Sequence, residues 1–419
     1  MTAIAYRARA LGPLGAVDWA IPSGLSVVVG SNRKNKSTLL RVPELIRYAI
    51  VVGIHEAFKA VFQGIPHLRN LRVPPSTPMM LGLAGGAVEW EIELTVRGGQ
   101  LAGLPREHLI LDGRKSLWRE PGSMEIESEG YRFSSRELVP GLALASVSGT
   151  AMTIEEGVLS GQLDLDAPDT VLELRKHLPS DAPDEVPSAL ATALGLASDA
   201  LSVLSFRTYH YEINHLLRFG SAYSSASELL PTGENVFPLL RNWRDKPEHE
   251  ERYEFVLSTM REIFPHLGRV GFEQAGQIST MEVSDRRWPG DARIPIARES
   301  TGFITALLQL CGLASCPRGG LVTFDEIETS LHPRAIKLLV EACRRRAASH
   351  DLRVVLATQS QTVLDQFHDD PSHVFVLEPD QETSPQALTE LFSPEYLGQF
   401  SLGDLFAHLE FGGDAPPAP

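Results

Sequence analysis

Gly30-Ser31-Asn32-Arg33-Lys34-Asn35-Lys36-Ser37-Thr38-Leu39-Leu40 is the stretch on which the reading of this chain turns. Leu25-Ser26-Val27-Val28-Val29 before it is short, β-branched and bounded by Gly24, the signature of a buried strand. After it, Thr38-Leu39-Leu40-Arg41 and Leu45-Ile46-Arg47-Tyr48-Ala49-Ile50 carry apolar residues at helical spacing. Strand, phosphate-sized loop and a helix opening on Lys-Ser-Thr form the context of a P-loop. Backbone N–H groups of Gly30, Ser31, Asn32, Arg33, Lys34 and Asn35, with the helix N-terminus at Lys36, Ser37 and Thr38, would cradle phosphates. Lys36 would reach the β/γ-phosphates, and the Ser37 hydroxyl would ligate Mg²⁺. The motif G-x-x-x-x-G-K-[ST] asks for glycine where Asn35 stands, and asparagine is the non-glycine residue that best tolerates the left-handed region. Arg33 and Lys34 either add to phosphate binding or point into water. The bland alternative is an accidental strand–turn–helix.

Working outward, Ile4 to Leu11 and Gly15 to Ile21 read as two strands leading into the P-loop strand. Tyr6 and Trp19 lie where an aromatic can stack on adenine, although plain sheet core is their commoner role. Ala57 to Phe62 continues helical, and Gly64-Ile65-Pro66 breaks it. From about Ala87 to Ala145 the period changes to two. Val88 to Val96 is a strand; His108 to Leu111 with Asp112-Gly113, and Met124 to Glu127 with Glu129 to Phe133, read as hairpins. Helices return from about Pro168 to Ser205, interrupted by the acidic linker 180–185. More follow Asn235-Val236-Phe237-Pro238 and Glu250 to Ile263, and strands reappear near Val270 to Phe272 and Ile278 to Val283.

Leu321-Val322-Thr323-Phe324-Asp325-Glu326 is a buried strand ending in two carboxylates, the Walker B pattern. Asp325 would hold the Mg²⁺ shell and Glu326 would polarise the attacking water. Ile327-Glu328-Thr329-Ser330-Leu331-His332-Pro333 follows, with a helix starting at Pro333, a residue suited to the first helical position. Upstream, Ser300 suits the N-cap of an apolar helix from Ile304 to Leu310. Downstream, Val354 to Ala357 is a further buried strand that stops in Thr358-Gln359-Ser360. Arg344-Arg345-Arg346 fans around a helix and reads as a solvated C-terminal turn complementing the helix dipole rather than as a DNA contact.

The bulk numbers set limits. At 419 residues the chain has room for two or three domains, and a net charge of −15 argues against wholesale nucleic-acid coating while allowing a local basic groove. The three cysteines, Cys311, Cys316 and Cys343, form no paired framework, which favours a reducing compartment. No apolar run approaches the roughly 20 residues that span a bilayer, and the N-terminus lacks a signal-peptide pattern. A cytoplasmic protein without membrane partners is expected.

Together these motifs resemble ABC-type P-loop ATPases, specifically the branch of AAA-family ATPases containing structural-maintenance-of-chromosomes (SMC) heads, RecF-like and overcoming-lysogenization-defect (OLD) proteins. Glu328 to Pro333 resembles the Glu-x-x-Leu-His-Pro D-loop of that branch (Glu328, Ser330, Leu331 and His332), with Ile327 where proline is usual. Ser300-Thr301-Gly302 resembles the signature loop, which implies contact with the γ-phosphate held by a second subunit. Leu229 to Val236 resembles a Leu-x-x-x-Gly-x-Asn segment of small single-chain members. Gln359 stands where the family commonly places a γ-phosphate-sensing histidine; it can donate a hydrogen bond but carries no proton.

The resemblance implies an α/β fold: a P-loop NTPase with an ABC-type ATPase head, a split core sheet, a β-rich subdomain and a helical insertion. The expected segments are an N-terminal ATPase lobe at 1–75, a β-rich subdomain at 76–160, a helical insertion at 161–268, a C-terminal ATPase lobe at 269–410 and a disordered tail at 411–419. It further implies ATP and Mg²⁺, a homodimer around nucleotide, and catalytic roles for Glu326 and Gln359. A separate effector protein or nucleic acid would be the partner, with anti-phage defence the leading role. A nucleotide-binding scaffold with little hydrolysis is the alternative, resting on Asn35 and Gln359. A DNA-repair ATPase or a transporter ATPase subunit comes behind it.

Overall fold

In the computed structural model the described residues are 4–30, 36–52, 54–62, 70, 72–74, 76–85, 88–97, 100–101, 106–111, 113–120, 123–128, 131–135, 153–155, 158–160, 206–209, 211, 213, 216, 220–222, 224–288, 293–377, 384–408 and 411–412. The expected loop 31–35, the break at 64–66, the helices and linker of 168–205 and most of the tail lie outside them. The chain divides into two compact units. One comprises Met1–Pro22, Ser37–Phe206 and Asp380–Pro385; the other comprises Ser23–Lys36, Arg207–Pro379 and Gln386–Pro419. The expected segments follow chain order, whereas each of these units is assembled from separate pieces of chain.

With strands numbered along the chain, the first unit holds β1 (Ile4–Leu11), β2 (Leu14–Ile21), β4 (Met79–Gly85), β5 (Val88–Leu94) and β8 (Arg106–Leu111). β9 (Arg114–Glu120), β10 (Ser123–Ser128) and β11 (Tyr131–Ser135) complete an eight-stranded sheet, ordered β11-β10-β9-β8-β5-β4-β1-β2, with antiparallel pairing. Short ladders pair β6 (Val96–Arg97) with β7 (Gln100–Leu101) and β12 (Thr153–Glu155) with β13 (Val158–Ser160). β5 shows why this sheet forms: Val88, Trp90, Ile92 and Leu94 are buried, while the glutamates between them face outward. Tyr6 and Trp19 are cross-strand partners with ring centroids 5.7 Å apart, both buried. They are sheet core, not an adenine platform.

Helix α1 (Lys36–Val52) carries Pro43 in its interior, which deprives the Leu39 carbonyl of its usual i+4 donor. The Tyr6 hydroxyl donates to that carbonyl at 3.4 Å and takes the missing place. α2 (Ile54–Phe62) follows.

The second unit is built on a six-stranded sheet ordered β14-β19-β20-β3-β21-β22. Its strands are β14 (Phe206–Tyr209), β19 (Leu321–Asp325), β20 (Arg353–Ala357), β3 (Gly24–Val29), β21 (Val374–Val376) and β22 (Gln386–Ala387). β19, β20, β3 and β21 run parallel, and β22 returns antiparallel. Parallel strands are covered on both faces, which is why β20 and nearly all of β3 are buried end to end and read as continuous apolar runs. The two strands upstream of the P-loop therefore belong to a different sheet from the P-loop strand itself. A second sheet orders β15 (Ser221–Ala222), β17 (Ile278–Asp285) and β16 (Leu267–Ala275), with β18 (Arg293–Pro295) against β17.

Around these sheets pack α3 (Val236–Asp245), α4 (Glu250–Ile263), α5 (Thr301–Ser315) and α6 (Pro333–His350). The short helices α7 (Gln361–Leu364), α8 (Leu388–Leu391), α9 (Pro394–Leu397) and α10 (Leu402–Ala407) close the chain. Phe237, Leu240, Trp243, Phe303, Leu307, Phe324 and Leu339 belong to one buried cluster, each contributing about 1.5–3 kcal/mol of transfer free energy. Asn235 zips the segment before α3, accepting from Leu230 N and donating to Glu228 O, both at 2.9 Å. Gly233 adopts φ +78°, and a Cβ there would lie 2.5 Å from a Leu308 methyl. The Leu-x-x-x-Gly-x-Asn pattern thus seats a turn on α5.

Arg344-Arg345-Arg346 does not end its helix and is solvated only in part: Arg344 and Arg345 keep side chains 42% and 46% exposed, while Arg346 is buried. α6 runs on to His350, and Asp351 caps it at φ +55°. Arg346 is 3% exposed, paired with Glu251 and set over the Phe255 ring. Arg345 pairs with Glu262, and Arg344 donates to Gln366 O at 2.7 Å. The triplet clamps α6 to α4 and to the segment after α7. Arg346→Ala is expected to destabilise the fold by about 1–3 kcal/mol as its packing and its ion pair disappear. Urea denaturation followed by tryptophan fluorescence checks this, and an unchanged midpoint would restore the solvated reading.

Candidate functional site

β3 delivers the chain to Gly30, where a side chain is excluded: a Cβ would lie 2.8 Å from Leu377 O, one strand over. Ser31, Asn32, Arg33, Lys34 and Asn35 lie outside the described residues. The chain resumes at Lys36, whose Nζ donates to Gly30 O at 2.6 Å. Lys36 is buried, and burial lowers its pKa from the usual lysine value. Asp325, Glu326 and Glu328, in that order, pull it back up. The buried ammonium and these three carboxylates, which follow at the end of β19, belong to the same unit. Ser37 and Thr38 occupy the first turn of α1, with Ser37 exposed. The division between the two units falls between Lys36 and Ser37.

The carboxylates are placed by the sheet. Asp325 ends β19 opposite Ala357 of β20, and Glu326 N continues the ladder to Ala357 O at 2.9 Å. The backbone then turns sharply: Glu326 has φ +50° and Ser330 φ +64°, both in the left-handed region. Such conformations cost about 1–3 kcal/mol each for non-glycine residues and cluster at functional sites. The turn is held at several points. Thr329 N donates to Glu326 O and Leu331 N to Glu328 O, both at 3.0 Å. The Glu328 carboxylate accepts from Gln359 N at 3.1 Å, joining the turn to the end of β20. His332 caps α6, its Nδ1 accepting from Arg334 N at 3.2 Å, with Pro333 at the first helical position.

Ser300 is the N-cap of α5; its hydroxyl accepts from Phe303 N at 3.2 Å and the residue is exposed, as is Thr301. Gly302 is buried against the turn after β19, and a Cβ there would come within 2.4 Å of Ser330 O. The signature-like and D-loop-like segments of one chain therefore touch backbone to backbone. Lys36 with Asp325, Glu326 and Glu328, Gly302 with Ser330, and Glu328 with Gln359 are the groupings the structure makes among the residues that the motifs single out. The sequence alone did not point to the Glu328–Gln359 bond or to Gln309. The latter's Nε2 donates to Ile327 O at 3.0 Å, and its signal was a lone amide in the apolar run 302–315.

The donor chemistry suits one ligand class. A buried lysine at a helix start favours phosphate, and an aspartate at a strand end offers the oxygen ligand that Mg²⁺ prefers. Residues 207–365, from β14 past the turn and the end of β20, match the profile of a family described as "AAA domain, putative AbiEii toxin, Type IV TA system". Solved structures similar to this chain include an SMC head bound to the C-terminal winged-helix domain of ScpA, at 10% identity, 93% coverage of this chain, 99% of that one, and a TM-score of 0.40. A Pyrococcus furiosus Smc head with an extended coiled coil, bound to the C-terminal domain of ScpA, matches at 11% identity, 93% and 98% coverage, and TM-score 0.37. The SMC head domain of Thermotoga maritima matches at 10% identity, 87% and 91% coverage, and TM-score 0.32. No curated protein matches the sequence. Among the described residues, no helix is long and apolar enough to cross a membrane.

Proposed function

We propose that this chain binds ATP with Mg²⁺ at the Gly30–Thr38 loop, hydrolyses it, and uses nucleotide to close two copies of itself and so control an effector. The observation that carries the reading is the buried ammonium of Lys36, folded back on Gly30 O at the end of β3, in the same unit as the carboxylates of Asp325, Glu326 and Glu328, which raise its pKa against the effect of burial. A buried ammonium that donates to a neutral carbonyl can exchange it for a phosphate oxygen, a stronger charge-assisted partner, with Mg²⁺ offsetting repulsion from the carboxylates. Asp325 would hold Mg²⁺, which would supply charge neutralisation at the β- and γ-phosphates, and Ser37 is the hydroxyl that the loop motif offers to the same ion. Glu326 would take a proton from the attacking water, and Gln359 would donate a hydrogen bond towards the γ-phosphate.

Ser300 and Thr301 are exposed at the N-terminus of α5, a position that favours an anion. This supports the further reading that they close the nucleotide held by another copy. The effector is a separate protein, with nucleic acid a further partner. The toxin–antitoxin description of the matched family supports a place in anti-phage defence. The scaffold reading, with little turnover, keeps the support of Gln359, whose side chain carries no proton.

Titration with a fluorescent ATP analogue, with Mg²⁺ and with EDTA, tests the ligand. Binding is expected to tighten about tenfold or more with Mg²⁺, and Asp325→Asn is expected to erase that difference. Equal affinity in all four arms would remove Asp325 and the metal from the account.

A further inference from the structure

Every residue of α5 from Gly302 to Ser315 is buried, and Gln309 carries the only amide side chain among them. It is 4% exposed. Its Nε2 donates to Ile327 O at 3.0 Å, while its Oε1 makes no hydrogen bond among the described residues. Keeping a half-satisfied amide in an apolar setting costs stability that a methionine of similar length would not cost. Packing alone therefore gives no reason for glutamine here.

What the amide holds is specific. Ile327 is fully buried and stands between Glu326 at φ +50° and Glu328, whose carboxylate accepts from Gln359 N. A left-handed glutamate persists only when its surroundings over-determine it, and the Gln309 bond fixes the next carbonyl along. The same helix begins at Ser300, and its Gly302 lies against Ser330 O at the far end of that turn. α5 thus grips the turn at both ends.

We propose that Gln309 is a positioning residue: through the Ile327 carbonyl it holds the turn that aims Glu326, tying the start of α5 to that carboxylate within one chain. The inference rests on the ATPase reading above, and its test carries one arm that does not.

In Gln309→Met, with Gln309→Leu as the second variant, the Thr329 and Leu331 amides close the turn and report its order. Their hydrogen exchange in the nucleotide-free protein is expected to speed up about fivefold or more, with the melting temperature equal or higher. The kcat is expected to fall about tenfold with KM for ATP within about twofold, because the interaction removed orients a base and leaves binding alone. Unchanged exchange in both variants overturns the proposal. So does a drop in melting temperature of several degrees in both, which would mark a structural residue. Faster exchange with unchanged kcat in a turning-over enzyme overturns the catalytic half. If wild-type turnover is no greater than that of Lys36→Ala, the ATPase reading has failed instead, and the exchange arm alone decides whether Gln309 holds the turn.

Discussion

Glu326→Gln is expected to lower ATP turnover by about 10²–10⁴-fold, the range supplied by a positioned general base, while ATP still binds. The substitution keeps side-chain shape and leaves the Glu326 N to Ala357 O bond and the left-handed backbone unchanged. What it removes is proton affinity. Steady-state phosphate release and filter binding of labelled ATP, measured on the same preparation, check the two halves. Turnover within about tenfold of wild type would place the base elsewhere, with Glu328 the nearest candidate on the same turn.

Lys36→Ala is expected to weaken ATP binding by about a hundredfold or more, the scale of removing a charge-assisted hydrogen bond from a buried site. The fold should tolerate it. Burial already disfavours the ammonium, so its removal relieves a desolvation cost while giving up attraction to Asp325, Glu326 and Glu328. A melting temperature within a few degrees of wild type is the expected outcome without nucleotide. Unchanged affinity for a fluorescent ATP analogue would mean that the loop at Gly30 is not the phosphate site.

Much of this site was legible because its parts are local. A β-branched run bounded by Gly24 had to be a buried strand; Ser300 and Pro333 announced helix starts; Asp325-Glu326 after an apolar run announced a strand end. Each reappears as β3, α5, α6 and β19. Alternation from Ile4 to Leu11 and from Gly15 to Ile21 marked two strands but not their neighbours, because a period of two fixes a buried face and leaves the partner strand open. The arginine triplet misled for a related reason. Asp351 caps α6 in a conformation usually left to glycine, so the helix end carried no glycine signal, and the partners of Arg345 and Arg346 lie on the distant α4.

The hydrogen bond between Glu328 and Gln359, the approach of Gly302 to Ser330 and the grip of Gln309 on Ile327 join segments far apart in sequence. They exist only once the parallel sheet has set β19 beside β20. Gln359 gains a meaning there that its place in the motif did not carry: its backbone N–H is tied to the turn that presents Glu326.

The central claim is that ATP closes two copies of this chain, with Ser300 of one facing the loop that ends at Lys36 of the other. One cysteine placed beside Ser300 and one beside Lys36, in the Glu326→Gln background, test it by crosslinking between chains with and without ATP and Mg²⁺. The account predicts a crosslink that forms only with ATP and Mg²⁺ and is abolished by adding Ser300→Arg, whose bulk and charge conflict with closure. A crosslink yield independent of ATP would contradict it: the chains could still pair, but nucleotide would not be the switch.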